Sequence, residues 1–96
     1  MAYDPGAIDA TLAAALGDDA GLIAELRLAF VEGAERTVAA MAKAGSPAEW
    51  TATAQRLKGL AASFGAVRLM ALADQAAQSD VDQAMVKRLQ QAVARL

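Results

Sequence analysis

The segment SPAEWTATAQRLKGLAASFG, residues 46–65, carries the start and stop signals of one helix. Ser46 suits the N-cap, Pro47 suits the first helical position, and Glu49 completes a capping box three residues after the cap. Gly65 predicts the end of this helix. Between these signals, apolar residues recur every three or four positions, which is typical of a helix with one buried side. The expected core stripe is Trp50, Ala54, Leu57, Ala61 and Phe64.

The rest of the chain follows the same pattern, so we expect an all-α fold. Apolar spacing and capping residues predict five helices, at residues 4–17, 18–44, 46–64, 66–78 and 79–96. The links between them are short, which favours antiparallel neighbours. The sequence therefore predicts an up-down antiparallel four-helix bundle with a short extra N-terminal helix, within a single domain that spans residues 1–96.

The predicted helix ends depend on a few capping residues. Asp4 and Pro5 are expected to begin the first helix, Asp18 or Asp19 the second, and Ser79 or Asp80 the fifth. Gly17 and Gly45 are the expected stops of the first and second helices. The inward-facing stripes are expected to include Leu22, Ala29, Val67 and Val81.

Composition excludes several classes of function. The chain has no cysteine and no histidine, which excludes disulfides, thiolate metal sites and histidine chemistry, and we expect neither metal nor cofactor. A net charge of −2 argues against nucleic-acid binding. The sequence has no long uncharged run and no signal-peptide pattern, so we expect a cytoplasmic protein that does not enter a membrane.

Charge is distributed unevenly along the chain. Residues 1–49 hold eight acids and three bases, whereas residues 50–96 hold three acids and six bases. Arg56, Lys58 and Arg68 lie in or near the segment quoted above. These three residues could add a positive field to that part of the surface.

The outward side of the third helix is unusually poor in charge. It is expected to hold Ala48, Thr51, Gln55, Lys58, Gly59 and Ala62. Gly59 costs about 1 kcal/mol in a helix interior relative to alanine, which suggests that something approaches it closely. Either a partner reaches Gln55 across Gly59, or another helix of the bundle packs tightly there. Lys58 is either a contact for a bound anion or an ordinary solvated lysine.

Residues 54–69, AQRLKGLAASFGAVRL, resemble the signature of histidine-containing phosphotransfer (HPt) domains, the helical carriers of two-component phosphorelays. The positions that fit the family pattern are Ala54, Leu57, Lys58, Gly59, Phe64, Gly65 and Ala66. Residues 22–41 resemble the second helix of the family, with Phe30 at its usual aromatic position. The phosphorylated histidine of the family falls at Gln55.

The resemblance implies a docking surface for a response-regulator receiver domain or a hybrid histidine kinase. In the family, the lysine after the histidine offsets phosphoryl charge. Gln55 has no free nitrogen lone pair, so we expect no phosphotransfer, no catalytic residue and no enzyme activity. The expected docking and anion-contact residues are Thr51, Gln55, Arg56, Lys58, Gly59, Ala62 and Arg68.

Two alternatives remain open from the sequence. The chain could be an active phosphotransfer protein in which an engineered glutamine replaces the histidine at Gln55. It could instead be a structural helical bundle with no phosphorelay role, in which the uncharged side of the third helix forms a homodimer. The phosphorelay hypotheses predict a monomer, whereas the last alternative predicts a dimer whose formation depends on the uncharged side of the third helix.

Overall fold

A computed structural model describes residues 6–96, which form five helices and no strand. The helices are α1 Gly6–Leu16, α2 Ala20–Ala42, α3 Pro47–Ser63, α4 Val67–Ala77 and α5 Gln83–Ala94. The all-α fold class is therefore confirmed. The predicted start of the first helix at Asp4 and Pro5 lies outside the described residues.

Most predicted helix ends are confirmed by their capping contacts. The Asp19 carboxylate accepts a hydrogen bond from the backbone N–H of Leu22 at 3.0 Å, and the Ser46 hydroxyl accepts one from the N–H of Glu49 at 3.2 Å. The Glu49 carboxylate accepts from the N–H of Gly45 at 2.8 Å, one residue before the cap. This reciprocal pair fixes the start of α3.

Two glycines end helices in the left-handed conformation, as predicted. Gly17 follows α1 with φ of 76°, and Gly65 follows α3 with φ of 71°. A side chain is disfavoured in this backbone region. At Gly65 a β-carbon would also collide with the hydroxyl of Thr11. Gly65 therefore serves both the turn into α4 and the close approach of α1.

Two other predicted boundaries were wrong. α5 begins at Gln83 rather than near Ser79 or Asp80, because the Ser79 hydroxyl donates to the Ala76 carbonyl and Asp82 provides the N-cap, accepting from the N–H of Ala84 at 2.9 Å. Gly45 does not end α2. That helix ends at Ala42 with Lys43 as its C-cap, and Gly45 is not in the left-handed conformation.

The hydrophobic core lies between α2, α3, α4 and α5, with α1 packed against α2. The rings of Phe30 and Phe64 stack with centroids 4.6 Å apart and hold the first half of α2 beside the end of α3. The largest side chains that are almost fully buried are Trp50, Phe30, Ile8, Met41, Leu57, Leu69, Leu89 and Val38. Four of the five residues predicted for the α3 core stripe are buried, and Phe64 is half-buried.

Four residues predicted for the core are exposed. Leu22 is 38% exposed, Val67 64% and Val81 41%, and Ala29 is exposed in the interior of α2. Leu22 and Val67 lie in the first turns of their helices, and Val81 lies in the link before α5. At such positions the chain enters or leaves the bundle, so helical periodicity does not determine which side is buried.

Three long-range hydrogen bonds position helices beside the core. The buried indole N–H of Trp50, at the start of α3, donates to the carbonyl of Ala76, at the end of α4, at 2.8 Å. The guanidinium of Arg27 donates to the carboxylate of Asp9 in α1 at 3.0 Å and to the carbonyl oxygen of Leu96 beyond α5. Arg27 thereby joins three segments that are distant in sequence.

Candidate functional site

The outward side of α3 is the candidate site. Its buried residues, Trp50, Thr53, Ala54, Leu57 and Ala61, all face the core. The exposed residues on the opposite side are Ala48, Thr51, Ala52, Gln55, Gly59, Ala62 and Ser63. At 100° per residue, Gln55 and Ala62 lie near the centre of this exposed side. Four of these seven residues are alanine or glycine, and none is charged.

Gln55 is exposed, and no other helix of residues 6–96 covers the space over Gly59 next to it. Apart from its chain neighbours and the backbone of its own helix, a β-carbon built at Gly59 would meet no atom of residues 6–96 within 4 Å. The hypothesis that Gly59 allows another helix of the bundle to pack tightly is therefore wrong for the described structure. The side chain of Gln55 and the gap one turn later form one accessible surface.

Lys58 borders this surface and forms an ion pair. Its ammonium nitrogen lies 2.9 Å from a carboxylate oxygen of Asp74 in α4, and the two side chains are 40% and 41% exposed. The hydrogen bond from Lys58, and then its charge, lower the pKa of Asp74, and the amide of Gln78 contributes a further hydrogen bond. Partial burial opposes this effect. Lys58 is thus available to an anion only in competition with Asp74.

The two predicted arginines lie in different places. Arg56 is exposed on α3, about 100° around the helix from Gln55 and on the flank opposite Lys58. Arg68 lies in α4 and lines a groove between α4 and α5 that includes no α3 residue. The structure therefore brings Thr51, Gln55, Gly59 and Ala62 together on α3, with Arg56 and Lys58 at its flanks. Arg68 belongs to a different surface.

Two hydroxyl groups of α3, that of exposed Ser63 and that of Thr53 on the core side, are engaged in local bonds. Ser63 donates to the carbonyl of Gly59 at 3.0 Å, and Thr53 donates to the carbonyl of Glu49 at 2.7 Å. Such i to i−4 bonds hold both hydroxyls against the helix backbone. The chain has no histidine, and residues 6–96 contain no cluster of three or more acidic side chains that could hold a metal ion. These residues can recognise a partner by contact and hydrogen bonding.

Sequence reasoning did not find Asp74 and Gln78 as neighbours of the site. Asp74 is sixteen residues after Lys58 and in a different helix, so no local pattern joins them. The i to i+4 spacing of Asp74 and Gln78 on α4 was visible, and the Gln78 amide does donate to the Asp74 carboxylate at 3.3 Å. That spacing alone does not indicate that the pair faces α3.

Comparisons with models of known protein families, with curated proteins and with solved structures found no match to this chain. Within residues 6–96, none of the helices combines the length and the apolar character needed to span a bilayer.

Proposed function

We propose that this chain is a degenerate HPt-like domain that docks a receiver domain through the exposed side of α3 without carrying phosphate. The observation that carries the proposal is the exposure of Gln55, at the position of the family's phosphohistidine, next to the open space over Gly59. A residue at this position could enter a partner's cavity. A buried Gln55 would have removed this possibility.

The finer architecture in this proposal is an up-down antiparallel four-helix bundle formed by α2 to α5, with α1 as an extra N-terminal helix. Three contacts support it. Phe30, near the middle of α2, stacks on Phe64 after α3, and Trp50, early in α3, bonds to Ala76 late in α4. The end of the chain after α5 also reaches the first half of α2 through its bond to Arg27. In antiparallel neighbours, the start of one helix is expected to lie beside the end of the other.

The chemistry of Gln55 supports binding and argues against transfer. In phosphotransfer, an imidazole nitrogen forms a bond to phosphorus while the bond from phosphorus to the receiver's aspartate oxygen breaks. The lone pair of an amide nitrogen is delocalised, so Gln55 cannot form the new bond. Its amide can still donate a hydrogen bond to a carboxylate and accept one from a backbone N–H.

Shape contributes more than charge to the proposed docking. The ion pair with Asp74 neutralises Lys58, which leaves Arg56 as the unneutralised base at the edge of the surface. One exposed arginine would steer an acidic receiver pocket only weakly, particularly at physiological salt. The small side chains around Gln55 allow a partner's backbone to come close, and this proximity would provide most of the contact.

The test compares the chain with a Gln55→His variant against a panel of phosphorylated receiver domains. We expect both proteins to form a complex with the same receiver and only the histidine variant to accept the labelled phosphoryl group. Complex formation would be measured by calorimetry, and transfer by gel autoradiography. If no receiver binds either protein, the proposal is wrong.

A pair of matched variants locates the docking surface. Ala62→Glu places a negative charge beside Gln55, where it should repel an acidic pocket and weaken binding. Ala39→Glu makes the same change on an exposed position of α2 and should leave binding unchanged. Equal losses from both variants would argue against docking through α3. A dimer in light scattering that Ala62→Glu disrupts would favour the homodimer hypothesis instead.

A further inference from the structure

The groove between α4 and α5 is the second notable surface of the molecule. It has a volume of about 240 Å³ and contains three arginines, two glutamines and an apolar floor, with no acidic residue. Its lining residues are Arg68, Ala71, Leu72, Gln75, Arg88, Gln91, Ala92 and Arg95. We call this surface the arginine groove. None of its arginines joins either of the two ion pairs formed within residues 6–96.

The arginine groove has the periodicity of a helix-binding surface. Helix α4 contributes residues spaced i, i+3, i+4 and i+7, and α5 together with its C-cap residue Arg95 contributes a second set with the same spacing, so the walls follow two helical turns. Arg88 and Arg95 are seven residues apart, which is about 10 Å along the axis of α5. Between them lie Gln91 and the small side chain of Ala92. This pattern fits an amphipathic helix with two acids seven residues apart and apolar residues between them.

The outward side of α2 has that complementary pattern. Glu25, Leu28, Ala29 and Glu32 are all exposed and share the i, i+3, i+4, i+7 spacing. We call these four residues the acidic stripe. Leu28 is 59% exposed, which is high for a leucine in a helix interior. The buried residues of α2, including Phe30 and Ala34, lie on the opposite side of the helix, so the acidic stripe is free to meet another molecule.

We propose that the arginine groove of one molecule binds the acidic stripe of a second copy of this chain. The two glutamates would pair with arginines at the ends of the groove, and Leu28 would cover its apolar floor. The contact joins two different surfaces, so each copy can bind one neighbour through its groove and another through its stripe. Assembly therefore continues beyond a dimer. Exposed ion pairs are individually weak, and we expect a Kd on the order of 0.1–1 mM at low salt.

Analytical ultracentrifugation over a concentration series tests this proposal. In low salt, the mean mass of the native chain should rise with concentration and pass that of a dimer, and high salt should return it to a monomer. A mass that stays monomeric up to millimolar concentration in low salt would overturn the proposal. Circular dichroism of every variant would verify that its helix content is retained.

Two variants, each with the charges of one of the two surfaces removed, make the test specific. We call them the neutralised proteins. The first carries Arg68→Gln, Arg88→Gln and Arg95→Gln and keeps the acidic stripe. The second carries Glu25→Gln and Glu32→Gln and keeps the arginine groove. Each alone should remain monomeric. An equimolar mixture has one intact groove and one intact stripe, so it should form a 1:1 dimer that does not grow further.

The controls separate this proposal from docking through α3. Arg56→Gln removes an exposed arginine outside the groove and should leave self-association unchanged. Ala62→Glu, which should weaken receiver binding, should also leave self-association unchanged. If the mixture of neutralised proteins stays monomeric while the native chain associates, or if Ala62→Glu abolishes association, the groove and stripe are not the interface.

Discussion

Lys58 and Asp74 join α3 to α4 at the edge of the candidate site, with 2.9 Å between the ammonium nitrogen and a carboxylate oxygen. The lysine that the family resemblance assigns to an incoming anion therefore already has a carboxylate partner. Both side chains remain about two-fifths exposed, so the pair can open without disturbing the core. An anion that binds Lys58 must therefore share its ammonium group with Asp74 or displace that carboxylate.

We predict that Asp74→Asn strengthens receiver docking. The substitution leaves Lys58 unneutralised and adds a positive charge beside Gln55, so association with an acidic pocket should become roughly two- to five-fold faster. Stopped-flow fluorescence with a labelled receiver measures this rate. Asp80→Asn makes the same charge change in the exposed link before α5 and serves as the control. Equal acceleration by both variants would show that net charge, and not the release of Lys58, is responsible.

The pKa of Asp74 provides a test in the isolated protein. The hydrogen bond and charge of Lys58 hold this pKa below the ordinary value of 3.8, and Lys58→Met should raise it. A lowered pKa means that the pair stabilises the fold above about pH 3.8 and that this contribution disappears as the pH falls through the folded-state pKa. Carbon-detected NMR titration of the carboxyl group gives both values. An unchanged pKa in Lys58→Met would contradict the ion pair.

Gly59→Ala should raise the stability of the fold and weaken receiver docking. Alanine fits the open space over Gly59 and improves helix propensity, so the free energy of unfolding should rise by about 1 kcal/mol. The added methyl group lies beside Gln55 and should weaken receiver binding. Gly33→Ala is the matched control. It lies in the interior of α2, where a β-carbon would make ordinary contact with Leu60 at 3.5 Å, and it should leave docking unchanged. Urea denaturation and calorimetry measure the two effects.

Two glycine-to-alanine variants should differ in stability although their backbones are alike. Gly17→Ala introduces left-handed strain in open space and should cost about 1–2 kcal/mol. Gly65→Ala adds a collision with Thr11 to the same strain and should cost about 1–3 kcal/mol more. Thermal or urea denaturation followed by circular dichroism checks the difference. Equal losses would mean that α1 does not pack against the turn between α3 and α4.

Local signals in the sequence predicted the fold class and most helix ends. Ser46, Glu49 and Gly65 act through contacts within a few residues, so their roles could be inferred without the fold. The start of α5 could not be chosen in this way, because Ser79, Asp80 and Asp82 can all cap a helix. The choice depends partly on the bond from Ser79 to Ala76, whose carbonyl also accepts from Trp50 across the α3–α4 contact.

The candidate site was predicted in part. Helical periodicity places Gln55 and Gly59 on the side opposite Trp50 and Leu57, and the structure has them there. The partner of Lys58 lies in another helix, and the position of Arg68 depends on how α4 meets α5. Both depend on tertiary packing, which the periodicity of a single helix does not contain. The role of these residues in receiver docking stays a prediction.

Trp50 makes the molecule convenient for spectroscopy. It is the one tryptophan of the chain, it is fully buried, and its indole bonds to a carbonyl of α4 from the inner side of α3. Its emission should be shifted to the blue and shielded from soluble quenchers such as iodide. A partner that binds to the outer side of α3 should leave that emission spectrum unchanged. A partner that separates α3 from α4 should shift the spectrum to the red. Intrinsic fluorescence can therefore distinguish surface docking from opening of the bundle without an added label.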